Sequence, residues 1–116
     1  MKKEVKSTMK YFELKVTVNL HKDIPFLSSY EFIGNMISKA MLEHDELKKL
    51  HGAQGFKFYT FCSFYPIESD KVYHKSRVYV TNIRSLSINF ILALKKFLPY
   101  VNYPIKIMST EIRMYQ

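Results

Sequence analysis

The sequence predicts an α+β, ferredoxin-like domain: a four-stranded antiparallel sheet with two helices on one face. Three observations predict it: a strictly alternating first strand, two apolar stripes at helical spacing, and the segment order β-α-β-β-α-β. The chain has 116 residues, which suits one hydrophobic core. We expect residues 1–8 to form a polar N-terminal leader and residues 9–116 a single domain.

The first half of the sequence predicts one strand and one helix. From Tyr11 to Leu20 apolar and polar residues alternate strictly, which is typical of a strand with one buried face. Ser28 and Glu31 have the spacing of a capping box, so we expect the helix to begin there. Its apolar residues follow at helical spacing: Ile33, Met36, Ile37, Ala40 and Met41. A second, shorter helical piece is expected over residues 45–50.

The second half predicts the remaining three strands and the second helix. Residues 56–65 are dense in aromatic side chains, which predicts a strand buried on both faces with Cys62 as a buried thiol. Residues 66–76 form a polar connection, and residues 77–84 a strand. Ser87 is expected to cap a helix that ends at Phe97 or Leu98. Residues 105–114 form the last strand, and the expected strand order is 4-1-3-2.

The net charge and the cysteine content indicate which kinds of partner and which cellular compartment to expect. Lys and Arg number 18 against 10 Asp and Glu, a net charge of +8 that favours nucleic acid, an anionic surface or an acidic protein as partner. The single cysteine excludes an internal disulfide and a cysteine zinc cage, and it fits a reducing cytoplasm. No apolar run approaches the roughly 20 residues that span a bilayer. We expect a cytoplasmic protein without a membrane partner.

Common catalytic motifs are absent from the sequence, so the histidines are the remaining candidates for a catalytic or metal-binding role. There is no P-loop, GxGxxG, HExxH or GxSxG. His44 and His51 lie near Asp45 and Glu46, but nothing else completes a metal coordination set. We expect no metal and no other cofactor. The other two histidines are His21 and His74.

His51 and Lys57 form the candidate catalytic pair. His51 ends a helical piece before a glycine-containing loop, and Lys57 follows it by six positions. An imidazole can take the proton of a 2′-hydroxyl or give one to a leaving 5′-oxygen, and a lysine can stabilise the negative charge that develops on the phosphorane. Metal-independent RNA cleavage needs two such groups, but read alone the pair is weak evidence, because a surface histidine near a surface lysine more often has no chemical role.

The segment around this pair resembles the active site of a known family. Leu50-His51, the loop over residues 52–55, Lys57 and the aromatic strand ending near Ser63 resemble the active-site segment of CRISPR-associated endoribonucleases. These enzymes cut precursor guide RNA and belong to the repeat-associated mysterious protein (RAMP) superfamily. The resemblance runs from about Met9 to the end of the chain.

The resemblance implies that His51 and Lys57 cleave CRISPR repeat RNA without a metal, leaving a 2′,3′-cyclic phosphate and a 5′-hydroxyl. Two departures stand against it. Some members have a catalytic tyrosine on the first helix, where this chain has Ile37 or Ser38. Family enzymes also have a second ferredoxin-like domain that carries much of the RNA-binding surface, and this chain resembles only the first.

Three functions stay open at this stage. The chain is a half-length endoribonuclease, acting as a homodimer in which two copies replace the second domain, or it binds repeat RNA without cutting. Alternatively it is a truncated mimic, an anti-CRISPR inhibitor that competes for the RNA or for CRISPR effector proteins. The basic residues expected to contact RNA are Lys71, Lys75, Arg77 and Arg84.

Overall fold

The computed structural model describes residues 10–45, 49, 59–101 and 104–116. In chain order the elements are β1 (Tyr11–Leu20), β2 (Ile24–Pro25), α1 (Phe26–Glu43), β3 (Tyr59–Phe61), β4 (Val72–Tyr73), β5 (Val78–Ser85), α2 (Ile88–Phe97), a 3-10 helix (Leu98–Tyr100) and β6 (Ile105–Tyr115). Within these residues, β3, β5, β1 and β6 form a four-stranded antiparallel sheet in that order. The four predicted strands correspond in chain order to β1, β3, β5 and β6, so the observed order is the predicted order 4-1-3-2 read from the other edge. The ferredoxin-like fold is confirmed.

β1 lies in the middle of the sheet, and its alternating sequence buries one complete face. It pairs with β5 on one side and with β6 on the other. The side chains of Leu14, Val16, Val18 and Leu20 are 0% exposed and point into the core. The residues between them lie on the opposite face, as the two-residue period of a strand requires.

The two helices pack on the same face of the sheet, α1 against β3 and α2 against β1, β5 and β6. Tyr30 of α1 stacks on Phe61 of β3 at 4.4 Å between ring centroids. Gly34 allows this close approach, since a Cβ there would lie 3.2 Å from Phe61. Lys95 of α2 donates to the Thr110 hydroxyl of β6 at 2.9 Å. Among the described residues no helix covers the other face, which we call the open face.

The two helix starts differ in how well the sequence predicts them. Ser87 caps α2 by accepting a hydrogen bond from the Phe90 N–H at 3.1 Å, as predicted. The prediction of a capping box at Ser28 is wrong: α1 begins at Phe26, after Pro25, with no side-chain cap. The Phe26 N–H instead donates to the Lys71 carbonyl oxygen at 2.8 Å, so a distant loop satisfies a donor of the first turn.

A short ribbon formed by β2 and β4 lies in regions that the sequence analysis treated as turn and loop. Ile24 pairs with Tyr73, and Pro25 pairs with Val72. The Tyr73 hydroxyl donates to the Phe64 carbonyl oxygen at 2.6 Å, which anchors the ribbon to the core. The pairing is between residues far apart in sequence, so no local pattern reveals it.

The aromatic segment forms a shorter and less buried strand than predicted. Within the described residues β3 covers Tyr59–Phe61, and only its helix side is covered. Phe64 belongs to the core, but Cys62 is exposed, so the prediction of a buried thiol is wrong. The reason is position: β3 is an edge strand, and its outward residues lie on the open face. Residues 56–58, and most of the predicted helical piece at 45–50, lie outside the described residues.

In the ranges that the structure describes, no helix is both long and apolar enough to cross a membrane.

Candidate functional site

The candidate catalytic pair cannot be placed. His51 and Lys57 both lie outside the described residues, in the chain that connects α1 to β3. Their roles stay predictions. The described part of the candidate site consists of the basic and aromatic residues on either side of that connection.

The four basic residues expected to contact RNA do not lie together. Lys71 and Lys75 flank β4 and Arg77 precedes β5, so these three lie at the ribbon. Arg84 lies near the opposite end of β5. At about 3.3 Å per residue of extended chain, Arg77 and Arg84 are roughly 23 Å apart. The structure thus separates the predicted RNA contacts into two regions.

At the ribbon, the positive charges contact groups of the protein itself. Arg77 Nη1 lies 3.0 Å from Glu68 Oε2, and the Tyr79 hydroxyl donates to the same oxygen at 2.7 Å. The bond from Tyr79 and that from Arg77 lower the pKa of Glu68, while the bond to Glu68 raises the pKa of Arg77. The Lys71 ammonium lies 5.5 Å from the centre of the Phe26 ring.

Lys75 makes a main-chain contact at the same end of the molecule. Its backbone N–H donates to Asp23 Oδ1 at 2.7 Å, and its residue is exposed. This bond ties the loop after β4 to the loop after β1. Lys71, Lys75 and Arg77 are all exposed at this end of the molecule.

Arg84 forms part of a cluster on the open face. Its Nε donates to Glu13 Oε2 at 2.7 Å, and the Tyr115 hydroxyl donates to Glu13 Oε1 at 3.1 Å. Glu13 is only 2% exposed although no described helix covers this face. The strand register explains the contacts, because Glu13 lies opposite Arg84 in β5 and Arg113 in β6.

Two tyrosine rings extend this cluster across the sheet. Tyr11 and Tyr115 are stacked, with ring centroids 5.1 Å apart and planes 20° apart. The Arg84 guanidinium carbon lies 5.7 Å from the centre of the Tyr11 ring. We call Tyr11, Glu13, Arg84 and Tyr115 the open-face cluster. The sequence analysis singled out Arg84 alone, although the alternation of β1 already places Tyr11 and Glu13 on the face away from the helices.

A shallow pocket adjoins the cluster between β3 and β5. It measures about 160 Å³ and is lined by Thr60, Phe61, Cys62, Asn82 and Arg84. The Asn82 side-chain amide donates to the Tyr65 hydroxyl at 2.9 Å, and the Asn82 N–H points to the Cys62 sulfur at 3.4 Å. We call this the β3–β5 pocket. It offers hydroxyl, amide, thiol and guanidinium groups, while the Phe61 ring itself packs against Tyr30 on the helix side.

The position of the family tyrosine on the first helix is filled by residues with structural contacts. Ile37 is 0% exposed in the core. Ser38 hydrogen-bonds the hydroxyl of Tyr59, whose pKa is raised mainly by burial. Neither position offers a solvent-facing phenol, so this departure from the family pattern stands.

Two of the other histidines, His44 and His74, contact neighbouring side chains. The His44 ring stacks on Phe97 at 4.4 Å between centroids. His74 Nε2 lies 2.8 Å from Asp70 Oδ2. Across the part of the chain that the structure describes, no three His, Cys, Asp or Glu side chains come together as a metal site would need.

No protein-family model matches the chain, and no curated protein matches it significantly. The likeness to the CRISPR-associated endoribonucleases therefore depends on the segment around His51 and on the order of the elements.

Proposed function

We propose that this chain binds CRISPR repeat RNA and cleaves it without a metal, with His51 and Lys57 as its catalytic residues. The observation that carries the proposal is the Leu50-His51 pair followed by Lys57 in the chain that enters an aromatic strand of a ferredoxin-like sheet. The net charge of +8 supports an anionic ligand. CRISPR effector proteins and a second copy of the chain are further proposed partners.

The proposed reaction is an internal transesterification. The 2′-hydroxyl loses its proton to a base, and its oxygen bonds to the adjacent phosphorus while the bond from phosphorus to the 5′-oxygen breaks. The leaving oxygen takes up a proton, which yields a 2′,3′-cyclic phosphate and a 5′-hydroxyl. His51 serves one of the two proton transfers, and the Lys57 ammonium stabilises the charge on the phosphoryl oxygens.

The position of Arg84 supports RNA binding beside the same segment. Thr60 pairs with Arg84, and Tyr59 pairs with Ser85, so β3 begins at the end of the sheet where Arg84 lies. Lys57 precedes Tyr59 by two residues in the sequence. Of the four basic residues predicted to contact RNA, Arg84 is thus the best placed to act with the catalytic segment.

The test is incubation of labelled CRISPR repeat RNA with the protein in EDTA. Wild type should cut, and His51→Ala should lower the rate about 100-fold or more, the usual scale for losing a general acid or base. Lys57→Ala should also slow cleavage, whereas His44→Ala and His74→Ala should change it little. Binding should weaken steeply as salt rises. Full activity of the His51 variant would remove the assignment.

One observation favours a second candidate function, the anti-CRISPR mimic. Arg77 and Arg84 are both paired with glutamates inside the fold, which reduces the charge they offer to RNA phosphates. A protein that does not cut, yet suppresses processing by the cognate full-length enzyme, would establish the mimic. In that case the His51 variant should inhibit as well as wild type does.

A further inference from the structure

We propose that the β3–β5 pocket binds one unpaired nucleobase of the RNA, stacked on the guanidinium of Arg84. This inference rests on the proposed RNA-binding function and adds a site and a contact to it. A base in this pocket would be held independently of the two catalytic residues.

The guanidinium is already held in place for stacking. Glu13 fixes Arg84 Nε at 2.7 Å, and the Tyr11 ring lies 5.7 Å from its central carbon. Since β5 lies between β1 and β3 in the sheet, Tyr11 and the pocket are on opposite sides of Arg84. The side chain of Arg84 is still 52% exposed. A guanidinium held in this way can receive a planar ring on its other side.

The buried carboxylate is the feature that needs explaining. The Glu13 side chain is 3% exposed on a face where side chains normally meet water. Removing a carboxylate from water is costly unless it is paired and hydrogen-bonded. Here the ion pair with Glu13 fixes the orientation of Arg84 at the pocket wall, so the buried carboxylate positions a residue of the proposed binding site.

The pocket selects an unpaired base for chemical and steric reasons. Thr60, Cys62 and Asn82 place a hydroxyl, a thiol and an amide around its rim, groups that can bond the edge of a base. At about 160 Å³ the pocket is shallow and suits a single ring system. Bases in a duplex have their edges paired and their faces stacked, so only single-stranded RNA can fill it.

The location connects the pocket to the proposed reaction. Thr60 lines the pocket and follows Lys57 by three residues in the sequence. RNA that is cut by the His51 and Lys57 segment would therefore pass beside the pocket. A base bound there would fix the register of the RNA relative to the cut.

Cys62 makes the pocket directly testable. It is the only cysteine of the sequence, and it is exposed on the pocket rim. Its rate of alkylation by N-ethylmaleimide can be measured with and without RNA, while fluorescence anisotropy reports binding independently. With single-stranded repeat RNA at about ten times its Kd, alkylation should slow roughly tenfold. A fully paired duplex of the same sequence should give no comparable protection.

A matched pair of variants tests the stacking contact. Arg84→Lys keeps the charge but loses the plane, and it should weaken single-stranded RNA binding roughly tenfold, the scale of one lost base stack. Arg113→Lys makes the same change in β6, at the edge of the sheet opposite the pocket, and should leave the affinity unchanged. Circular dichroism verifies that both variants are folded. If Arg84→Lys does not fold, the alkylation of wild-type Cys62 decides the matter alone.

The outcomes separate the pocket from the wider function. If RNA binds but leaves Cys62 alkylation unchanged, the pocket assignment is overturned and the proposed function stands. If no RNA binds even at low salt, the proposed function fails and the pocket assignment fails with it. Protection of Cys62 by a CRISPR effector protein and not by RNA also overturns the assignment.

Discussion

Two groups near the ends of β5 use the same chemistry in different surroundings. Each contains an arginine and a tyrosine that donate to one glutamate: Arg77, Tyr79 and Glu68 at the ribbon, and Arg84, Tyr115 and Glu13 on the open face. The Glu68 side chain is 25% exposed, whereas that of Glu13 is 3% exposed. The same three residue types thus form one partly solvated group and one that removes a carboxylate from water.

The difference also concerns how much of the fold each group needs. Glu68 lies 9 and 11 residues from its two partners, so it holds a local loop in place. Glu13 lies 71 and 102 residues from its partners and connects three strands of the sheet. Breaking the ribbon group should therefore affect one loop, whereas breaking the open-face group should affect the whole sheet.

The largest expected effect comes from breaking the open-face group. Arg84→Ala leaves the buried Glu13 carboxylate without its cation, and we expect the free energy of unfolding to fall by about 3 kcal/mol, the low end for breaking a buried pair because Tyr115 still donates. Urea unfolding measures this. Adding Glu13→Gln should recover part of the loss. Equal stability of Arg84→Ala and wild type would show that Glu13 is well hydrated.

A smaller effect is expected from the tyrosine of the ribbon group. Tyr79 is 1% exposed, and its hydroxyl donates to Glu68 and accepts from the His74 N–H at 2.8 Å. Tyr79→Phe removes both bonds and should lower the free energy of unfolding by about 1–2 kcal/mol. Tyr115→Phe is the control: it removes the bond to Glu13 and the bond with Arg113, but Arg113 is exposed and also pairs with Glu111, so the expected loss is smaller, about 1 kcal/mol. A larger loss in the free energy of unfolding for Tyr115→Phe than for Tyr79→Phe would contradict the comparison.

The smallest effect is expected in how the stability of the protein changes as the pH falls into the acidic range. Hydrogen bonds from Tyr79 and Arg77 lower the folded-state pKa of Glu68 below its ordinary 4.5. A lowered pKa contributes stability that is fully present above the unfolded-state value and is lost as pH falls through the folded-state value. Wild type should therefore exceed Glu68→Gln in stability at neutral pH, and the gap should close below pH 4.5. Thermal unfolding across pH measures it, and a gap that widens in acid would refute the assignment.

Much of the fold could be predicted from periodicity, and the exceptions have a common cause. The alternation of β1 and the apolar stripe and Ser87 cap of α2 are local patterns, and both predictions are confirmed. The start of α1 and the β2–β4 ribbon were missed because a distant loop, not a neighbouring side chain, satisfies their backbone. Cys62 was misplaced because an aromatic-rich segment does not reveal whether its strand is central or at an edge.

The candidate site was predicted only in part. Arg84 was singled out as one of four similar cations, but its neighbours were not. Glu13 and Tyr115 are brought to it by strand register, and register depends on the pairing of the whole sheet. The catalytic roles of His51 and Lys57 stay predictions, since both residues lie outside the described ranges.

The sequence by itself determined the order of the two helices and the four strands of the main sheet, and which side of β1 faces the core, because side-chain period and turn chemistry act over a few residues. Only the tertiary structure decided that a carboxylate would be buried on the open face and that Arg84 and Tyr115 would be its partners. Those outcomes depend on contacts between residues up to about a hundred positions apart, such as Tyr115 and Glu13, a separation of 102. Such contacts form when strands align in a register that hydrophobic burial selects, and the polar partners are then determined by that register.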